Sequence, residues 1–177
     1  RGVEVHRRIE LHSLGQVPLA LNDADDYDLP AETTADAATS AYTTYLNSPY
    51  ADRQPLLVEV AFQFRTEAGL AVRGRIDAVY PDDEGWEIVD FKSGRKRDDP
   101  WLGVQLEAYA VAVDRVDFGL PRPDRLAVTF AYLGGGLDVV RTEADSTWTK
   151  QAGEHVEELA AGIVDKQFEA VASSACR

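Results

Sequence analysis

The sequence predicts an α/β protein in which helices cover a mixed central sheet. Three observations lead there. Some stretches carry apolar residues at helical spacing and others alternate them. Gly, Pro and Asp clusters separate the stretches. The order is two helices, three strands, a helix, a strand pair and a last helix. At 177 residues and 45% apolar content, the chain has one domain's length and too much core material for disorder. Residues 1–177 read as a single domain, with 16–54 as a helical and loop insertion inside it.

Residues 3–14 predict a short helix, and residues 16–31, which contain DADDYDLP, a polar loop. A helix over Ala35–Leu46 ends at NSPY. Strands are expected at 56–65 and 70–80, joined by the EAG turn, and at 86–92 after the YPDDEGW turn. DDPW opens a helix that Asp98 or Asp99 can cap and whose first turn suits Pro100. Leu102, Leu106, Tyr109, Ala110 and Val113 form its apolar stripe. Strands 125–133 and 137–142 flank GGG as a hairpin. A helix over about 146–168 closes the domain, with Trp148, Ala152, Val156, Leu159 and Ile163 along one side.

The net charge of −13 is awkward for a free-standing nucleic-acid binder, because phosphate affinity comes largely from Lys and Arg. Positive charge is local: Arg95, Lys96 and Arg97 form one cluster, and Arg73 and Arg75 another. The global sign suggests that another element delivers the substrate or that metal ions supply the missing charge. No apolar run approaches the roughly 20 residues of a membrane span, so a cytoplasmic location without membrane contact is expected. One cysteine, Cys176, excludes an internal disulfide framework. With no methionine, and with RGVEVHRRIELH reading as the middle of an element, the chain is expected to be a piece of a longer protein.

The stretch EIVDFKSGRKR, residues 87–97, poses the chemical question. Asp90 and Lys92 alternate along a strand and so share one face, although both are costly to bury. If Asp82–Gly85 is a four-residue turn, the register places Asp77 of the preceding strand opposite Asp90. Two facing carboxylates repel unless a cation lies between them, and Mg²⁺ or Mn²⁺ suits carboxylate oxygens. Lys92 would then stand where a phosphate oxygen or attacking water would lie. An exposed salt-bridge patch on a solvated sheet face is the competing explanation. His6 and Glu10 one turn apart, Glu59 inside an apolar strand, and Gln105 and Tyr109 on one helix edge weigh against it.

The ordered series GVEVH, LVEVAF, GRIDAVY, EIVDFKSG and VQLEAYA closely resembles the RecB-type nucleases of the PD-(D/E)XK superfamily. The resemblance covers roughly residues 2–112 and the closing helix. It implies a restriction-endonuclease-like fold and metal-dependent hydrolysis of DNA. Asp77 and Asp90 inherit the metal-binding aspartates, His6 an additional ligand, and the backbone carbonyl of Phe91 a fourth. Lys92 takes the catalytic lysine's place, and Glu59 that of a carboxylate near the site. Gln105 and Tyr109 match the Q-x-x-x-Y motif, which orients the site and contacts DNA. Arg95, Lys96 and Arg97 would grip the DNA backbone without reading bases.

The resemblance also implies a helicase in the same chain, with a partner subunit as a further option, feeding single-stranded DNA into the site during end processing and repair. Two alternatives stand beside this reading: a non-catalytic DNA-binding or structural module, and a stand-alone nuclease of the CRISPR spacer-acquisition kind. Relatives often carry a 4Fe-4S cluster, and FEAVASSACR resembles the approach to its first trailing cysteine. Cys176 could serve such a cluster only in a full-length chain, because residues 1–175 hold no other cysteine.

Other features fall away on inspection. DADDYD carries Asp28 where a calcium loop needs glycine and Thr34 where it needs glutamate. GGG at 134–136 lacks the Lys-Ser/Thr of a phosphate loop. His12 and His155 are expected at the surface.

Overall fold

Alternating apolar residues in three consecutive stretches build an antiparallel meander. In a computed structural model, which describes residues 2–16, 31–83, 85–97 and 100–165, these strands are β1 (Leu57–Arg65), β2 (Ala71–Asp82) and β3 (Gly85–Lys92). A parallel partner for β3 requires a crossover. Helix α3 (Pro100–Arg115) supplies it, and β4 (Arg125–Tyr132) then pairs with β3 in parallel. β5 (Asp138–Glu143) returns antiparallel beside β4, completing a five-stranded sheet in sequential order. This is the mixed sheet of a restriction-endonuclease-like fold.

Helices α1 (Gly2–Ser13) and α2 (Ala31–Leu46) pack on one face of the sheet, and α3 and α4 (Ser146–Val164) on the other. Two cores result. Val5, Ile9, Ala41, Tyr45, Tyr80, Val89 and Phe91 form one. Ile76, Ile88, Leu106, Tyr109, Val128 and Val156 belong to the other. β3 lies between them, and residues Gly85–Phe91 are all buried, which explains its nearly continuous apolar reading. Asp145 caps α4, its carboxylate accepting the Trp148 amide at 2.8 Å.

Several boundaries differ from expectation. α2 begins at Ala31, a turn before Ala35. β2 runs through Pro81 to Asp82, which pairs with Gly85, so the ladder extends to the edge of the expected turn. Asp83 takes the left-handed conformation (φ 46°) that such a tight turn demands. The expected register survives because the closing pair is unchanged. On α4 the buried line is Ala152, Val156 and Ala160, while Ile163 is 47% exposed. Trp148 and Leu159 are half-buried beside that line, and Ile163 is exposed because it lies in the last turn of the helix. His12 is half-buried rather than at the surface, edge-on to Tyr45 with ring centroids 5.4 Å apart. The caps Asp98 and Asp99, the DADDYD loop and Cys176 lie outside the described residues. No helix among the described residues is long and apolar enough to cross a membrane.

Candidate active site

β3 delivers two charged side chains to the underside of α3. Asp90 and Lys92 share a face by strand alternation, and Gln105 and Tyr109, one helical turn apart on α3, reach both. The Gln105 amide bridges the pair: Nε2 donates to Asp90 Oδ1 at 2.6 Å, and Oε1 accepts from Lys92 Nζ at 2.7 Å. Tyr109 donates its hydroxyl hydrogen to Asp90 Oδ1 at 2.8 Å, with the Arg75 carbonyl 3.2 Å away. Asp90 Oδ1 is therefore doubly held. Asp90 Oδ2 is buried, and its close partner is the Lys92 ammonium, with Nζ 2.7 Å away in an ion pair. The ammonium also sits 5.0 Å from the centre of the Phe130 ring.

Next to this pair the sheet opens. Ladder pairing between β2 and β3 ends at Ala78 opposite Val89, just short of Asp77 and Asp90. The Asp77 carboxylate takes the amide left over, accepting the Phe91 N–H at 2.8 Å. On the other side, β1 pairs with β2 at Val58 and Val60 but skips Glu59, whose φ of 49° is left-handed. A non-glycine residue there is strained, and such strain tends to gather at functional positions. The kink also resets side-chain alternation. Leu57 and Val60 meet the same core, as do Ile76 and Val79, although each pair is an odd number of positions apart.

His6 closes the site from α1. Its Nδ1 donates to the Gly2 carbonyl at 2.8 Å, while Nε2 is 2.6 Å from the Phe91 carbonyl and 3.1 Å from Asp77 Oδ2. Both ring nitrogens face oxygens, so the imidazole is protonated on both. The hydrogen bond to Asp77 pushes its pKa up to about 9 against the opposing effect of burial. Burial raises the pKa of Asp90, and the charge of Asp77 raises it further, while Lys92 and Tyr109 pull it down. Glu59 is raised as well, by burial and then by Asp77, with Arg75 opposing from 3.4 Å. Tyr109 is held protonated by burial and by the Asp90 charge.

The expected cluster therefore converges from four elements: His6 from α1, Glu59 from β1, Asp77 from β2, and Asp90, Phe91 and Lys92 from β3. Among the described residues no three His, Cys, Asp or Glu side chains already stand arranged around a metal ion. His6, Asp77 and the Phe91 carbonyl hydrogen-bond to one another instead, with a proton where positive charge is needed. The donor set nonetheless suits a hard divalent cation. Carboxylates and a carbonyl are its usual ligands, an imidazole is the softer addition, and Asp90 Oδ2 has only the Lys92 ammonium against it.

Arg95, Lys96 and Arg97 are exposed beyond the end of β3. Tyr109 is 3% exposed, so its hydroxyl faces Asp90 rather than solvent. Two contributors were not legible beforehand. Arg75 places its carbonyl at Tyr109 and its guanidinium at Glu59, and its position two residues before Asp77 was the available signal. The GGG turn is a seat for the loop after β3. Gly134 donates to the Gly94 carbonyl at 3.0 Å, and a Cβ on Gly135 would lie 2.8 Å from Arg95 Nε. A cavity of about 850 Å³ between α3 and α4, lined by Asp114, Arg115, Arg122, Lys150 and Glu157, includes none of these residues. Glu107 and His155, 2.6 Å apart, form a separate pair linking α3 to α4.

A mixed sheet that holds acidic residues and a lysine at the open end of a hairpin defines a class of phosphodiester-cutting enzymes. The family model of the PD-(D/E)XK nuclease superfamily matches residues 6–177, and the chain belongs to that superfamily. Its members typically use divalent metal ions. No curated protein matches the sequence. Among solved structures, a Eubacterium rectale protein proposed to be an exonuclease superposes with a TM-score of 0.52 at 12% identity, over 95% of this chain and 69% of that one. That likeness establishes the fold. A second structure, SSO0001, matches at a TM-score of 0.39 and 13% identity, over 89% of this chain and 74% of that one.

Proposed function

We propose that the chain is a metal-dependent deoxyribonuclease of the RecB type, acting in the cytoplasm on single strands that a helicase in the same polypeptide or a partner subunit supplies during DNA end processing and repair. One observation carries the catalytic part: a buried Asp90 carboxylate paired at Oδ2 with the Lys92 ammonium, 2.7 Å away, while the charge of Asp77 on the neighbouring strand raises its pKa.

His6, Asp77, Asp90 and the Phe91 carbonyl would hold Mg²⁺ or Mn²⁺. When bound, such an ion polarises a phosphate oxygen and lowers the pKa of a coordinated water toward neutrality. Gln105 and Tyr109 fix Asp90 through Oδ1 and leave Oδ2 to the Lys92 ammonium. Gln105 also holds the Lys92 ammonium, which places positive charge where a phosphate gains negative charge in the transition state. Glu59 adds a third carboxylate at the edge, and Arg95, Lys96 and Arg97 offer exposed cations to the backbone of the strand. A feeding motor would reconcile the net charge of −13 with an anionic substrate.

The test is cleavage of a labelled single-stranded oligodeoxynucleotide with Mn²⁺ or Mg²⁺ by the wild type, Asp90→Ala and Lys92→Ala. Both variants are expected to lose cleavage about a hundredfold or more. Undiminished cutting by both would remove the assignment.

A further inference from the structure

Among the described residues, the two most exposed large apolar side chains are Val3, at 84%, and Trp101, at 62%. Both stand in the first turn of a helix, and each precedes a residue of the candidate site on that helix. Val3 lies three positions before His6 on α1, and Trp101 four before Gln105 on α3. Side chains at such spacings share a helix face. Trp101 therefore sits one turn beyond Gln105, about 6 Å farther along the axis, on the side of the helix that reaches Asp90 and Lys92. Arg95, Lys96 and Arg97 are exposed in the segment leading into α3. Three exposed cations thus precede an exposed aromatic side chain by four to six positions in the chain, and cations with an aromatic surface are the combination that binds single-stranded nucleic acid.

We propose that Trp101 is a stacking platform for an unpaired nucleobase of the strand whose phosphate lies at Asp90 and Lys92. The inference rests on the nuclease reading and extends it to substrate choice. An indole face can cover a base only where that base has left its neighbours, so a duplex end gains less from it than a single strand does. The basic residues hold phosphates in either case. Trp101 thereby distinguishes the two substrates, while Arg95, Lys96 and Arg97 do not.

The experiment measures binding without divalent metal, so that nothing is cut. Fluorescence anisotropy of a fluorescein-labelled oligodeoxynucleotide, single-stranded or annealed to its complement, is read at low ionic strength for the full chain. Trp101→Ala is expected to weaken single-strand binding about tenfold, within the range for loss of one base–aromatic stack, and to leave duplex binding nearly unchanged. Trp101→Phe retains most of the affinity, and Trp101→Leu, apolar but without a ring, behaves like Trp101→Ala. Binding also quenches tryptophan fluorescence in the wild type, and this quenching disappears in Trp101→Ala although Trp86 and Trp148 remain. Equal affinities of wild type and Trp101→Ala for the single strand overturn the proposal. So do full affinity in Trp101→Leu and an absence of wild-type binding. Ring-dependent binding by a protein that cuts nothing would leave the stacking in place and remove the nuclease reading. Asp90-dependent cutting with an unchanged Kd and KM in Trp101→Ala would remove the stacking alone.

Discussion

Glu87 and Asp90 lie three residues apart on β3, on opposite faces, and both side chains are 4% exposed. Glu87 is saturated. Its Oε1 accepts from Thr129 at 2.9 Å and from Tyr50 at 3.2 Å, with Arg141 also 3.2 Å away, and its Oε2 accepts from Arg53 at 2.5 Å. Asp90 has two donors on one oxygen and a single ammonium, Lys92, 2.7 Å from the other, and Asp77 adds a like charge nearby. Equal burial thus accompanies opposite treatment. Glu87 ties α2's trailing segment, β3, β4 and β5 together. Asp90 has one ammonium, Lys92, where Glu87 has two guanidiniums, and it faces the like charge of Asp77 as well, an arrangement that a further cation would relieve.

The contrast makes three predictions, in falling order of effect. The sharpest exchanges the two residues' phenotypes. Glu87→Ala strands the Arg53 and Arg141 charges and is expected to cost about 3 kcal/mol, the low end for a broken buried pair because both guanidiniums are nearly a third exposed. In thermal denaturation that is a Tm drop of roughly 6–12 °C. Asp90→Asn keeps the side chain's shape, and relief of the repulsion from Asp77 offsets loss of the ion pair with the partly exposed Lys92, so its stability stays within about 1 kcal/mol of wild type while cleavage is lost. A larger Tm loss in Asp90→Asn than in Glu87→Ala would reverse the comparison.

Metal linkage comes second. Mn²⁺ at about a hundred times its Kd is expected to stabilise the wild type by about 2.7 kcal/mol. Asp77→Ala should show almost none of this in a melting assay, whereas Glu87→Ala, though less stable, should shift as far as wild type. Equal shifts in Asp77→Ala and wild type would place the ion elsewhere.

The smallest effect concerns the brace. Gln105→Leu removes the bridge between Asp90 and Lys92 while preserving bulk. It is expected to lower kcat about 10–100-fold, as losses beside metal ligands do, with little change in KM. A change confined to KM would recast Gln105 as a substrate contact.

Much of this was legible in the residues. Helical and strand periods are local, so the element order could be read directly, and the short β2–β3 connection set Asp77 against Asp90. The ordered motifs led to His6, Glu59, Gln105 and Tyr109. Other features were hidden for physical reasons. Nothing in LVEVAF betrays that Glu59 adopts φ 49°, because a glutamate carries no mark of a left-handed backbone. Glu87 sits inside EIVDFK and looks no different from Asp90. Its saturation depends on Tyr50, Arg53, Thr129 and Arg141, which lie 34 to 54 positions away in the chain. GGG, rejected as a phosphate loop, accommodates Arg95 only because the β4–β5 turn packs against the loop after β3.

What the chain determined unaided was the order of its elements and the pairing across its tightest hairpin, since both depend on neighbours a few residues apart. Tertiary structure alone decided which buried carboxylate would meet two guanidiniums and which would meet one ammonium and a second carboxylate. That outcome depends on donors brought from distant segments and on the water their packing excludes, and neither is encoded within any single stretch.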